Sequence, residues 1–359
     1  MFCRVSRVLT CIVLVFLRLF CSCNLRRPPE VSSRSAACRS SGEEAWDLSQ
    51  SASDLKEQSC APSFRAPQTI SKQVCRFWPA EESAKRLPAG VTYAGGWHLT
   101  SDNASFGGLS GLEVTAGGDL LAVSDDGAFV WLGLTDGAPD GSGNLAYMLG
   151  ADGSQLHGKA LADSEGLSLS NGLAIVSFER THRVSAFALE ACGAAAREAV
   201  ISALPGTRDG TRIDENRGAE ALTVTPGGTI RFGFETVDGG TSPLGSIAGP
   251  DEAGWTGELA PNPAGYAFVG LDTVAVGGHE ESFWLFRSYD PIRGNRNVVK
   301  WGQDKQIIIT RPLVTDNFEG IAAEPRADGS VRLWIVSDDN FSDKQRTLLL
   351  AFDIAAPSE

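Results

Sequence analysis

Residues 317–354, NFEGIAAEPRADGSVRLWIVSDDNFSDKQRTLLLAFDI, decide the fold. The stretch opens on an acid, Glu319, and runs through the apolar residues 321–323. It turns at Asp328-Gly329 and returns through 331–336 to Asp338 and Asp339. Asp-Gly between two apolar runs marks a β-hairpin with a two-residue turn. Pairing outward from that turn sets Glu319 opposite Asp338, so two carboxylates meet at the open end of the hairpin. A third strand follows over 345–352.

The same figure recurs upstream. Residues 110–125 turn at Gly117-Gly118 and set Ser110 opposite Asp125. Residues 165–179 turn at Asn171-Gly172 and put Glu165 opposite Phe178, one step from Glu179. Residues 220–235 turn at Gly227-Gly228 and pair Glu220 with Glu235. A looser copy spans 272–287, starting at Asp272, and its turn within 277–280 leaves the register open. The five starts lie 55, 55, 52 and 47 residues apart, slightly longer than the roughly 40 to 50 residues of common propeller blades. Between hairpins stand two further apolar stretches per unit: 129–134 with 145–149, 184–189 with 199–204, and 298–301 with 306–310. Four strands per unit make a blade.

An all-β propeller of five four-stranded blades is therefore expected, or six if the Gly- and Pro-rich stretch 238–263 hides another. A lone strand, VTYAGGWHL at 91–99, precedes the first hairpin, and the last unit ends after three strands. Ring closure explains both: the N-terminal strand supplies the outer strand of the C-terminal blade and removes two sheet edges. The propeller domain spans 91–355. No helix of consequence is expected in it, and no stretch of it is apolar enough to span a membrane.

Upstream of residue 90 the composition differs. The first 90 residues hold 13 of the 31 Lys and Arg and only 8 of the 44 acidic residues, so the remainder carries 18 basic against 36 acidic side chains. Residues 1–23 pair Arg4 and Arg7 with an apolar run too short to span a bilayer comfortably, the pattern of an export signal. Residues 24–90 are rich in Ser, Arg and Pro without periodicity and read as disordered. Seven of eight cysteines lie in these 90 residues, leaving Cys192 alone in the repeats, where no disulfide framework is expected.

In a propeller the first strand of each blade lies nearest the axis. Glu165, Glu220 and Glu319 should thus ring one mouth of the channel, with Asp125, Asp126, Glu179, Glu235, Asp338 and Asp339 close behind. So many carboxylates raise one another's pKa unless a positive charge joins them. Oxygen ligands from several loops suit Ca²⁺ better than Zn²⁺, and His98, His157, His182 and His279 form no ligand-spaced pair. The metal candidates are Glu165, Glu220, Glu319, Asp338, Asp125 and Glu235. Arg180, Arg217 and Arg287 stand near the same hairpin ends, either as internal counter-ions or as forks for an anionic group. Taken singly, each acid reads better as a turn former or solvated rim; the set, recurring at matching hairpin ends, reads as a cation or ligand site.

These residues carry a resemblance. FGGLSGLEV (106–114), DSEGLSL (163–169), SFERTHRV (177–184), NRGAEALTV (216–224), DNFEGIAAEP and IVSDDNFSDKQRTLLLAFD are similar to the phytase-like β-propeller family, labelled "esterase-like activity of phytase", over about residues 91–354. The resemblance implies an exported protein and kinship with calcium-dependent phytases, whose channel-mouth carboxylates hold Ca²⁺ ions that bind phosphate and activate water. Glu165, Glu220, Glu319 and Asp338 match its motif positions. The fourth unit departs, with HEESFWLFRSYDP where an acidic-Arg-Arg pattern is usual, which weakens a role for Arg287.

Other chemistries are disfavoured. Gly108-Leu109-Ser110-Gly111 is not a GxSxG elbow, no GxxxxGK loop is present, and the acidic propeller is unsuited to nucleic acid. The leading expectation is a monomeric, exported, Ca²⁺-dependent hydrolase of small anionic phosphate or related esters, with Glu220, Arg180 and Arg217 catalytic. The rival is a non-catalytic propeller that binds a ligand or partner protein while the cation is structural.

Overall fold

A computed structural model describes residues 46–60, 68–69, 73–76, 87–236 and 240–356. The export signal expected at 1–23 lies outside them. Five four-stranded antiparallel blades follow one another, and five inner strands, Leu109–Val114, Ser164–Ser170, Ala221–Val224, Ala267–Val276 and Asn317–Pro325, neighbour each other in a closed cycle. The ring closes as expected: Val91–Thr100 pairs with Leu348–Ile354, making the N-terminal strand the outer strand of the fifth blade. The Gly-rich stretch supplies Pro243–Ile247 and Ala253–Leu259, the outer pair of the third blade, so the count is five.

Successive side chains of a strand point to opposite faces, and here both faces meet a neighbouring blade. Leu333 and Ile335 enter the core shared with the fourth blade, whereas Trp334 and Val336 enter the one shared with the first. That is why VRLWIV reads as an uninterrupted apolar run. Each of the five cores joins two adjacent blades, so side-chain burial rather than hydrogen bonding fixes blade order.

Two expectations about the N-terminal part fail. Of the segment 24–90, expected to be disordered, residues 24–45, 61–67, 70–72 and 77–86 lie outside the described residues, but within 46–60 the stretch Ala52–Ser59 is an α-helix that, with Leu48, packs Ala52 and Leu55 into the core between the second and third blades. Short strands Gln68–Thr69 and Gln73–Arg76 extend the first and fifth sheets. Nor is Cys192 unpaired, since it forms a disulfide with Cys60 across a Cα separation of 5.7 Å. A lone apolar face of one short helix has too few periodic positions to stand out in a Ser- and Arg-rich background.

The register of the hairpins also shifts, and the shift shapes the mouth. In the first, third and fifth blades the turn has three residues, with Gly118, Gly228 and Gly329 in the left-handed region (φ +86, +83 and +80°). This moves the pairing by one from a two-residue turn. The second blade keeps the two-residue Asn171-Gly172 turn. At the mouth end the inner strands of the first, second, fourth and fifth blades then bulge, at Ser110, Glu165-Gly166, Val269 and Glu319, while in the third blade Glu220 stands just ahead of the paired Ala221. Asp338 therefore faces Asn317 rather than Glu319, and Phe178 faces Ser164 rather than Glu165. Likewise Asp125 hydrogen-bonds Gly108 rather than facing Ser110, and Glu235 hydrogen-bonds Gly218 rather than facing Glu220. The fourth inner strand begins at Ala267, ahead of the expected Asp272, which lies within the strand.

Candidate active site at the channel mouth

A bulge re-aims the side chain it carries. Ser110, Glu165 and Glu319 sit at such bulges and Glu220 at the matching end of the third inner strand, whereas Val269 is buried in the core shared by the fourth and fifth blades. The glycine that follows lets inner strands approach. A Cβ on Gly111 would lie 2.7 Å from the Glu165 carbonyl oxygen, and one on Gly270 would lie 2.6 Å from that of Glu319. At this level the axis holds a cavity of only about 10 Å³, bordered by Ser110, Glu220 and Glu319. Any ligand is therefore met at the mouth and not in a through-channel. The Ser110 hydroxyl donates to the Ser164 carbonyl at 2.6 Å and joins two blades, in keeping with the rejection of a serine nucleophile.

Burial and mutual repulsion dominate the electrostatics. Glu165 is held well above the ordinary carboxylate range by burial first, then by the charges of Glu220, Glu319, Glu179 and Asp163. Glu220 is raised likewise by burial, Glu235 and Glu319, and the nearby Arg287 opposes the rise. Burial pushes Glu179 up to about 7 and, with Glu319 beside it, Asp338 up to about 8. Asp125 is raised by burial against the pull of Lys159.

The ring divides into two arcs. On one side Arg287 from the fourth blade reaches Glu319 Oε1 at 2.8 Å and Glu235 Oε1 at 3.1 Å. Asn317 Nδ2 donates to both Glu319 (3.0 Å) and Asp338 (3.3 Å). The expectation that the altered fourth-blade motif diminishes Arg287 is thus corrected: its guanidinium is the central cation of this arc. On the other side Asp163, Glu165 and Glu179 are buried with ligand oxygens all within 4.8 Å of one another. Asp163 accepts from Arg180 Nε at 2.7 Å and Lys159 Nζ at 2.9 Å, and Glu179 Oε1 accepts from the Gly218 N–H at 2.7 Å. Among the described residues no salt bridge reaches Glu165, and the buried Asp125 Oδ1 has no hydrogen-bond partner.

All six expected metal candidates therefore lie at this mouth: Glu165 in the second arc, Glu319, Asp338 and Glu235 in the first, Glu220 between them, and Asp125 joined to the second arc through Lys159. Of the expected catalytic residues, Arg180 borders the acidic trio with its side chain 36% exposed. Arg217 is exposed and, among the described residues, its side chain reaches only the Thr236 carbonyl, at 3.4 Å. Asp126 points to solvent, and Asp339 accepts from the Gly108 and Phe341 N–H groups and from Thr347. Sequence reasoning passed over Asp163, Lys159 and Asn317. Asp163 was open to view in DSEG, two residues before Glu165, but a strand-start count places only one acid per blade.

The donor set fits a hard divalent cation. Ca²⁺–O distances of about 2.3–2.6 Å put two ligands on one ion at most about 5 Å apart, so the spacing of the trio's oxygens suits a single ion.

Residues 104–244 match the family model "Phytase-like: Esterase-like activity of phytase". The matched stretch includes Asp163, Glu165, Glu179, Arg180 and Glu220 and stops short of Arg287, Glu319 and Asp338. No curated protein matches the chain. Among solved structures, the PQQ-bound aldose sugar dehydrogenase of Streptomyces coelicolor is 11% identical over 74% of this chain and 99% of its own, with a TM-score of 0.40. The GH43 endo-arabinanase of Bacillus licheniformis is 13% identical over 68% and 94%, with a TM-score of 0.41. The glutaminyl cyclase of Myxococcus xanthus is 13% identical over 74% and 97%, with a TM-score of 0.38. At this level of likeness none of their chemistry carries over to this chain.

Proposed function

We propose that this β-propeller, of which residues 104–244 match the phytase-like family model, hydrolyses phosphate esters with a Ca²⁺ ion held by Asp163, Glu165 and Glu179. The observation that supports this reading above others is the acidic trio: three buried carboxylates meet, Arg180 and Lys159 are both spent on Asp163, and no salt bridge among the described residues reaches Glu165 or Glu179. A bound Ca²⁺ would supply Lewis-acid polarisation of a phosphoryl oxygen and lower the pKa of water. The chain's own residues do the rest. Arg180, partly exposed and anchored on Asp163, offers its remaining N–H groups to the phosphoryl oxygens, with the exposed Arg217 as a second, outer cation. Glu220, whose pKa is raised by burial and by Glu235 and Glu319, is placed to give a proton to the departing ester oxygen. Narrowness of the axis keeps the reaction at the open mouth.

Export fits the same reading. The Cys60–Cys192 disulfide favours an oxidising compartment.

The test combines calcium titration with turnover of p-nitrophenyl phosphate. Wild-type protein should gain thermal stability with Ca²⁺ and lose turnover in chelator. Glu165→Gln should lose both responses, and Glu220→Gln should keep the calcium response while losing turnover. Calcium-dependent stabilisation with no turnover of p-nitrophenyl phosphate or phytate would instead favour the non-catalytic propeller, in which the ion is structural. That alternative has one observation behind it, the internal neutralisation of Glu319 and Glu235 by Arg287.

A further inference from the structure

A second cleft opens beside the mouth between the fourth and fifth blades. It has a volume of about 530 Å³, within the range of small-ligand sites. Arg287 forms one wall, and its guanidinium is already engaged by Glu319 and Glu235. The other charged groups are Arg311, Lys344 and Arg346, against a single carboxylate, Asp316. A local excess of positive charge is unexpected in a propeller whose acidic side chains outnumber the basic ones two to one. It is the inverse of the acidic mouth next to it.

The three cations are not internal counter-ions of that mouth. Arg311 has no side-chain hydrogen bond or ion pair among the described residues. Its guanidinium lies over Gly294, at a φ of +74°, where a Cβ would come within 2.9 Å of Nη2. A side chain at 294 would displace it, so the absence of one keeps that guanidinium in place. Lys344 is exposed and likewise makes no ion pair among the described residues. Arg346 is held by its Nε on Asp316 (3.2 Å) and its Nη2 on the Thr315 carbonyl (3.3 Å). Those bonds orient a guanidinium that has five N–H donors in all. Asn295, Asn340 and Gln345 add neutral polar groups to the lining. Tyr289, 70% exposed, stands on the rim and also borders the neighbouring cleft.

We infer that this cleft binds a phosphomonoester group, through Arg311, Lys344 and Arg346, without a metal ion. Three cations against one acid leave more positive charge than a monoanionic carboxylate neutralises. A dianion with three acceptor oxygens matches it, and such charge-assisted bonds to guanidinium forks are strong. The face of Tyr289 takes the organic part of the ligand. The site goes beyond the activity proposed above and stands without it, because nothing in it depends on the carboxylate trio.

The experiment uses the full chain in excess chelator, with inorganic phosphate, phenyl phosphate and benzoate titrated by calorimetry. In parallel, the chain is sedimented with phosphatidic acid vesicles and with phosphatidylcholine vesicles. Phosphate and phenyl phosphate should bind in a salt-sensitive manner, with benzoate at least about tenfold weaker. The paired change Arg311→Glu with Lys344→Glu alters exposed side chains, so melting should be unchanged, and it should weaken phenyl phosphate by at least about tenfold. Phosphatidic acid sedimentation lost in the same variant would support the site and identify its ligand as a lipid headgroup. Failure of both soluble and vesicle probes to bind would overturn the inference, as would binding unchanged in the paired variant. A Glu165→Gln protein that has lost turnover yet binds phenyl phosphate in chelator would separate this site from the catalytic reading.

Discussion

Glu319 and Glu165 occupy equivalent bulges on the inner strands of the fifth and second blades, and both are buried. Glu319 lies 2.8 Å from the Arg287 guanidinium and accepts a further bond from Asn317. Glu165 has like charges for neighbours, and the nearest arginine, Arg180, is bound to Asp163 instead. The backbone setting is the same, but in one arc the counter-charge meets the bulge carboxylate itself, and in the other Arg180 and Lys159 are held by Asp163. What separates them is one residue of the fourth blade, since Arg287 pairs with Glu319 and no salt bridge among the described residues reaches Glu165.

The largest way to break this contrast is Arg287→Met. Removing the only cation of a buried ionic cluster leaves the carboxylates uncompensated, and such changes cost about 3–5 kcal/mol. In chelator at pH 7.5 the urea-unfolding midpoint of the variant should fall accordingly. The loss should shrink at pH 5, where the acids around it take up protons. A fall of under about 1 kcal/mol at pH 7.5 would mean that the two arcs are equally well balanced.

The contrast was only partly legible beforehand. Repeating acid, apolar run, glycine turn and apolar run disclose the blades and their closure, because hairpin turns and strands buried on both faces leave local marks in the sequence. Bulges are not local in that sense. The one-residue slips at Ser110, Val269 and Glu319 come from inner strands crowding at an axis, which no single hairpin records. Arg287 was discounted because its motif departs from the usual pattern, although its reach to Glu235 and Glu319 joins three blades. The fourth blade was misread for a related reason. Asp272 looks like a strand start, but it accepts a hydrogen bond from the Ala323 N–H at 2.7 Å in mid-strand, whereas the true bulge residue is the apolar Val269.

A smaller effect should appear as a pH slope. Glu179 and Asp338 have folded-state pKa values of about 7 and about 8, above their ordinary 4.5 and 3.8. The native state therefore holds more protons than the unfolded chain between about pH 4 and 8, and stability declines as pH rises through that window. In chelator the melting temperature should fall by several degrees, on the order of 5 °C, from pH 5 to pH 8.5. Saturating Ca²⁺ should remove the part due to Glu179, and Asp338→Asn the part due to the other arc. A melting temperature that rises with pH in chelator would reverse the sign assigned to both groups.

The smallest expected change sharpens the contrast at its edge. Arg180→Ala breaks a partly exposed ion pair, so its cost in stability should be no more than about 1 kcal/mol, and Arg217→Ala should cost less than about 0.5 kcal/mol. Their effects on turnover should differ more. Arg180 is anchored on a member of the acidic trio, and its loss should lower kcat/KM for p-nitrophenyl phosphate at least about tenfold, equivalent to about 1.4 kcal/mol. Arg217, joined only to a carbonyl at 3.4 Å, should affect KM by less than that. If instead Arg217→Ala is the more damaging, the substrate approaches across the third blade, and the cation that meets it is the one with no carboxylate partner among the described residues.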